Sequence, residues 1–203
     1  MKPAERMGEN MKNMTLTNIA RACNGRLLYP AENSRKETEH AEAVGVVIDS
    51  RKAGENFIFV ATKGERVDGH RFIPDVFAKG ALGVVCEKEP ESLPGPCIVV
   101  EDSFEALKQI GEFYRQQLPV KVVGITGSVG KTSTKEFVAA VLAMKYKVHK
   151  TLGNYNNEVG VPLTVLSMPE DTEVAVLEMG INHFGEMHNL SRIARPDICI
   201  CLL

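Results

Sequence analysis

A chain of 203 residues with 44% apolar and 25% charged side chains and a net charge of −2 has the make-up of a globular protein, with room for one large domain or two small ones. So small a charge gives no reason to expect nucleic acid or an anionic membrane as partner. No apolar run approaches the ~18 residues of a spanning helix, and no signal peptide is read. The five cysteines, Cys23, Cys86, Cys97, Cys199 and Cys201, are scattered, odd in number and without a Cys-x-x-Cys pair. That pattern predicts buried free thiols in a reducing cytoplasm rather than disulfides or a metal site.

In chain order, residues 1–14 are polar, carry four methionines and show no hydrophobic period, so they are expected to form a disordered tail. Residues 15–24 read as a short helix with apolar Leu16, Ile19 and Ala20, ended by Gly25. Residues 31–42 are polar and read as a loop. Short apolar runs at 44–48 and 57–61 read as strands. Phe72, Ile73, Val76 and Phe77 fall at helical spacing within 70–79, and Gly80 suits a C-cap. Strands follow at 82–86 and 98–100, separated by a loop with Pro90, Pro94 and Pro96. A helix over 104–117 stops before Pro119, which marks a hinge between a first domain, 15–118, and a second, 119–203.

The second domain reads as strands at 120–125, 147–150, 173–178 and 197–203, with helices at 131–143, 161–167 and 185–194. Such alternation implies an α/β fold with a parallel sheet covered on both faces. The last strand, Ile198-Cys199-Ile200-Cys201-Leu202-Leu203, is unbroken apolar chain of the kind that belongs inside a sheet. At a terminus it offers a bare edge, so truncation within a longer domain is expected over an ordinary last strand.

The most informative segment is Val-Lys-Val-Val-Gly-Ile-Thr-Gly-Ser-Val-Gly-Lys-Thr at 120–132. An apolar strand runs into a glycine-rich loop, and an amphipathic helix with Phe137, Val138, Val141 and Leu142 follows at once. Amide N–H groups of such a loop and helix N-terminus attract phosphate oxygens. Lys131 can reach the β and γ phosphates, and the Thr132 hydroxyl can ligate Mg²⁺. The strict phosphate-loop pattern wants glycine where Ile125 stands.

The loop 126–132 resembles that of the Mur ligases, the ATP-dependent enzymes that build the peptide stem of bacterial cell-wall precursors. Three more segments carry the resemblance: 151–162, rich in asparagine; Glu-Met-Gly-Ile-Asn-His-Phe-Gly-Glu at 178–186; and Asp49-Ser50-Arg51 ahead of Asp68-Gly69-His70. The first two look like the branch that joins D-alanyl-D-alanine to UDP-N-acetylmuramoyl-tripeptide. The likeness runs from Thr15 to Leu203. It implies a small N-terminal UDP-binding α/β domain followed by part of a P-loop ATPase domain, acting as a cytoplasmic monomer with ATP and Mg²⁺.

By resemblance, Gly127, Ser128, Val129, Gly130, Lys131, Thr132 and Ser133 would cradle the ATP phosphates, with Lys131 and Glu178 catalytic and Thr132 and Glu178 on Mg²⁺. Glu178 also suits a simple strand end. Asn154, Asn156 and Asn157 would fix the ATP-side loop, or form turns through their side chains. Asp49, Ser50 and Arg51 would take the uridine diphosphate, with a capped turn as the plain alternative, and Asp68 suits a helix cap. His183 would line the substrate or nucleotide cleft, while His149 and His188 are expected as surface or packing residues. The family's second metal histidine, modified lysine, adenine pocket and amine-substrate domain fall outside the matched region. Other readings are a non-catalytic UDP-sugar or nucleotide-binding paralogue and a different phosphoryl-transfer enzyme. The Asp-Ser-Arg segment argues against the latter.

Overall fold

The computed structural model describes residues 10–64 and 67–203. The chain divides into two compact units, Met1–Ile110 and Gly111–Leu203, and the division falls within the helix Ser103–Gln117.

In the first unit, α1 (Leu16–Ala22) starts where the Thr15 hydroxyl accepts the Asn18 amide and buries Leu16, Ile19 and Ala20. The strands β1 (Arg26–Leu28), β2 (Gly45–Val47), β3 (Phe57–Val60), β4 (Gly83–Cys86) and β5 (Cys97–Val99) form one sheet in the order β1-β5-β4-β3-β2. β2 to β5 pair in parallel and β1 runs antiparallel to β5. The core gathers Phe59, Val84, Cys86 and Cys97 from the strands against Ile73 and Val76. Those two belong to α3 (Ile73–Ala78), which follows a 3-10 turn at Gly69–Phe72. Gly80 ends this segment at φ +86°, as its position predicts. The helix α4 (Ser103–Gln117) closes the unit and leads into the next.

Three sequence expectations need correction here. Residues 31–42 do not form a plain loop but contain a helix, α2 (Glu32–Thr38). It has no apolar stripe to announce it, and Glu32 in its first turn and Arg35 and Lys36 in its last complement the helix dipole. The strand β1 escaped notice because three residues of half-buried chain carry too little pattern. Of the expected tail, residues 1–9 lie outside the described residues, while Met11 and Met14 are fully buried. The amide of Met11 donates to Ala43 O, and that of Ala43 to Met14 O.

In the second unit, β6 (Lys121–Gly127), β7 (Val148–Lys150), β8 (Val174–Glu178) and β9 (Ile198–Leu202) form a wholly parallel sheet in the order β7-β8-β6-β9. The helices α5 (Lys131–Leu142), α6 (Gly160–Leu166) and α7 (Glu186–Ala194) connect them in turn. Register shows which face each helix covers. Val148, Lys150, Val174 and Val176 share a face with Val123 and Ile125, and that face packs on α5 through Val138, Ala139 and Leu142. His149 and its partner Ala175 lie on the other face, where His149 Nε2 sits 3.0 Å from Thr164 O of α6. α7 packs beside α6. The connection leaving β6 therefore passes toward β7 on one face, and that leaving β8 passes toward β9 on the other. Such a reversal opens a crevice at the carboxyl ends of the strands between them, where α/β sheets bind ligands.

β9 is an edge strand paired with β6, and Ile198 is half exposed. The cysteine reading also needs correction: Cys23, Cys86 and Cys97 are buried, but Cys199 and Cys201 of β9 are exposed. Among the described residues, no helix is long and apolar enough to cross a membrane.

Candidate phosphate-binding site

The crevice is bounded by the carboxyl ends of β6 and β8. The strand β6 ends at Gly127, whose φ of +131° and approach to β9 exclude any side chain: a Cβ there would stand 2.0 Å from Leu202 O. Gly130 turns the chain into α5 at φ +82°. Ile125 is fully buried, pairing with Glu178 and Ile200 inside the sheet. The departure from the strict loop pattern is thus a strand continued by two residues before the turn. α5 begins at Lys131 without a side-chain cap, so the first amides of a 12-residue helix face the loop with no intrahelical partner. Ser128, Val129 and Gly130 are exposed on that loop. Lys131 Nζ folds over it, donating to Gly127 O at 2.6 Å and Ser128 O at 3.4 Å. The loop thus gathers uncapped amides and an ammonium at one point, an arrangement suited to phosphate oxygens.

Glu178, 2% exposed, ends β8 on the face that α5 covers. Thr132, in the first turn of α5, donates its hydroxyl to this carboxylate, with Oγ1 at 3.0 Å from Oε2 and 3.2 Å from Oε1. Asn156 Nδ2 donates to Oε1 at 2.8 Å, and Lys135 Nζ lies 3.7 Å from Oε2. Behind the carboxylate, the buried Thr151 hydroxyl accepts the Glu178 amide at 2.9 Å. The Gly180 amide donates to Asn156 O at 2.8 Å, tying the asparagine-rich loop to the chain beyond β8.

The sequence-predicted residues do not all converge. Gly127 to Ser133 and Glu178 share the crevice, Thr132 and Glu178 in direct contact. Asn156 joins them, whereas Asn157 Oδ1 accepts the Val159 and Gly160 amides at the start of α6. Asn154 lies exposed and accepts the Asn156 amide through its carbonyl. His183 is exposed; its amide and that of Asn182 donate to Glu186 Oε2, which holds the Glu186 carboxyl below its ordinary range. Sequence reading missed Thr151 and Lys135. The latter had a signal: it falls one turn after Lys131 in the buried stripe completed by Ala139, a place where a charge needs a partner.

In the first unit, Arg51 clasps Asp49 through Nε and Nη2 at 2.7 to 3.2 Å. With the Arg51 amide, this hydrogen bonding brings the Asp49 carboxyl from 3.8 to about 2. Ser50 O accepts Lys79 Nζ at 2.7 Å. Asp68 caps the 3-10 turn, accepting the His70 amide and His70 Nδ1. Since His70 Nε2 accepts the Glu87 amide at 2.9 Å, Nδ1 carries the proton. Asp68 and His70 border a cavity of about 420 Å³ that also takes in Lys63, Arg71 and Lys88. Glu65 and Arg66 of the same loop lie outside the described residues.

The profile of the Mur ligase middle domain matches residues 125–202, and that of the Mur ligase family catalytic domain matches residues 42–127. The chain belongs to the Mur ligase family. The UDP-N-acetylmuramoyl-tripeptide–D-alanyl-D-alanine ligase of Bacillus subtilis is 44% identical over 191 residues, 92% of this chain and 40% of that protein. MurF from Acinetobacter baumannii superposes with a TM-score of 0.83 at 32% identity, over 95% of this chain and 41% of that one. MurF ligase from Thermotoga maritima, a structure in complex with ADP, does so with a TM-score of 0.71 at 36% identity, over 77% and 37%. The chain thus spans about 40% of the Bacillus relative it matches.

Thr132 and Glu178 offer hard oxygen donors 3.0 Å apart beside the loop, a set that fits Mg²⁺, which takes oxygen ligands and commonly only one or two carboxylates, the rest being water and phosphate. Among the described residues no group of three His, Cys, Asp or Glu side chains gathers as a metal cage, and such a Mg²⁺ site needs none. When bound, the ion would offset charge on the phosphate oxygens.

Proposed function

We propose that this chain is the UDP-substrate-binding and ATP-phosphate-binding portion of a cytoplasmic, ATP- and Mg²⁺-dependent ligase that joins D-alanyl-D-alanine to UDP-N-acetylmuramoyl-tripeptide for peptidoglycan synthesis. The observation that carries this reading is the Thr132 hydroxyl on the Glu178 carboxylate beside a glycine loop and an uncapped helix start. The reaction needs activation, because an ionised carboxylate is a poor electrophile. Phosphoryl transfer from ATP to the tripeptide carboxylate gives an acyl phosphate and ADP. The dipeptide amine then attacks the acyl carbon, and phosphate leaves as the amide forms.

In that scheme the loop 127–133, through the amides its backbone leaves free, and Lys131 orient the phosphates and offset developing charge, while Thr132 and Glu178 hold Mg²⁺. Asn154 and Asn157 shape the ATP-side loop and His183 the substrate side. In the first unit, Ser50 and Arg51 take the uridine diphosphate, and Asp49 keeps the guanidinium aligned until a diphosphate competes for it. The protein acts as a monomer.

Calorimetric titration of the 203-residue chain with ATP·Mg²⁺, and separately with UDP-N-acetylmuramoyl-tripeptide, tests this. Binding of both, with ATP binding lost in Lys131→Ala, is expected. ADP release with tripeptide and dipeptide should be negligible for these residues alone. UDP-ligand binding with no ATP binding would replace the ligase reading with that of a binding module. Binding of neither would refute both.

A further inference from the structure

Lys135 is 1% exposed. A buried ammonium is costly unless paired, and here it stands between two carboxylates. Its Nζ lies 3.3 Å from Glu136 Oε1 and 3.7 Å from Glu178 Oε2. Glu136 in turn binds Lys150 of β7. Two ammoniums and two carboxylates thus form a chain of zero net charge, running from the outer strand β7 through α5 to the end of β8. Lys131 and Lys135 are one helical turn apart on α5, so both project to the same side. One serves the loop carbonyls, the other the carboxylate.

The contacts on Glu178 are divided between its oxygens. Asn156 holds Oε1 at 2.8 Å and Lys135 lies nearest Oε2, while the Thr132 hydroxyl stands between, within 3.2 Å of both. The carboxylate is therefore held from two flanks and presents its open edge to Thr132. A carboxylate beside a phosphate site is pushed away by like charge, and a fixed ammonium on its flank opposes that displacement.

We infer that Lys135 is a positioning residue for Glu178: its ammonium, fixed 3.7 Å from Oε2, attracts the carboxylate and keeps its edge turned toward Thr132, so that a divalent cation bound with a nucleoside triphosphate meets both oxygen donors in place. The inference rests on the nucleotide-site reading above. It assigns Lys135 to the metal-dependent part of nucleotide affinity and not to contact with nucleotide.

The test measures the affinity of the chain for ATP by calorimetry with Mg²⁺ and with EDTA. In the unaltered chain Mg²⁺ tightens binding. In Lys135→Met the metal enhancement falls about tenfold or more, the range for partners that orient metal ligands, while affinity in EDTA stays within about twofold because amides and Lys131 alone set it. Lys135→Arg, which keeps a cation on Oε2, retains most of the enhancement. Lys135→Gln keeps a donor without the charge and is read in the same way should the methionine variant not fold. A purely structural lysine would lower both affinities together or neither, and either result overturns the inference. Full metal enhancement in folded Lys135→Met or Lys135→Gln overturns it while leaving the nucleotide site intact. Failure of the unaltered chain to bind ATP under either condition overturns the nucleotide site and this inference with it.

Discussion

Thr132 Oγ1 and Glu178 Oε2 lie 3.0 Å apart although 46 residues separate them in the chain. The contact joins the first turn of α5 to the last residue of β8, so it reports on the docking of helix against sheet as well as on the crevice. Glu178→Gln should therefore do two things. It leaves the buried Lys135 ammonium with Glu136 as its remaining carboxylate, at a cost of about 3 kcal/mol, and it removes the proposed anionic metal ligand. A fall in the urea midpoint together with loss of Mg²⁺-enhanced ATP affinity is the expected outcome. An unchanged midpoint would contradict the burial argument.

Gly127→Ala places a Cβ 2.0 Å from Leu202 O at a φ of +131°. Neither the backbone angle nor the neighbouring strand can yield without breaking the β6–β9 pairing. A destabilisation of about 3 kcal/mol or more is expected, read as a lowered urea midpoint, with weakened ATP binding in the folded fraction.

Arg115 of α4 is buried and donates to the carbonyls of Ala194, Leu118, Val120 and Arg195 at 2.9 to 3.3 Å. It gathers the end of α7 and the entry to β6 around one guanidinium. Arg115→Met strands these acceptors and should cost about 3 kcal/mol. Arg115→Lys should restore less than half of that, because an ammonium cannot span the same fan of carbonyls. Equilibrium urea unfolding of the two variants measures both.

The Asp49 carboxyl is held at about 2 against an ordinary 3.8, chiefly by hydrogen bonds from the Arg51 side chain. A carboxyl lowered in the folded state stabilises the fold above its unfolded value and loses that contribution as pH falls through the folded one. The Asp49–Arg51 contribution is therefore in place above about pH 4 and largely gone near pH 2. Carboxyl-carbon NMR titration should give an Asp49 midpoint near the lower figure, returning toward the ordinary one in Arg51→Ala.

Thiol reactivity should sort by burial. Cys199 and Cys201 are exposed, while Cys23, Cys86 and Cys97 are buried, and burial raises the Cys23 thiol to about 11. An aromatic disulfide reagent should label the two exposed thiols quickly in the native chain and the three buried ones only on unfolding. Rapid labelling of a third would show that the first unit opens readily.

Much of the candidate site's local geometry was legible because its parts are local. Gly127, Gly130, Lys131 and Thr132 lie within six residues, and the loop's turn, the helix start and the lysine's reach all follow from that spacing. Glu178 could be placed at a strand end from the apolar run before it. The helix α2, by contrast, left no trace, since a solvated helix lacking an apolar stripe has no period to read. The two exposed thiols were misjudged for a related reason. An apolar run reports that a strand is suited to burial, but whether a neighbouring strand covers it depends on sheet order.

What the sequence determined by itself, then, is every feature that depends on neighbours along the chain: the glycine loop between strand and helix, the alternation of strands and helices, and the carboxylate after an apolar run. Only the tertiary structure decided that Asn156 and not its neighbours touches Glu178, that Lys135 turns inward, and that β9 pairs with β6. Those outcomes depend on the order and register of β7-β8-β6-β9, which bring residues dozens of positions apart to the same end and face of one sheet. Strand order is set by packing among all the elements together, and no short window of residues contains it.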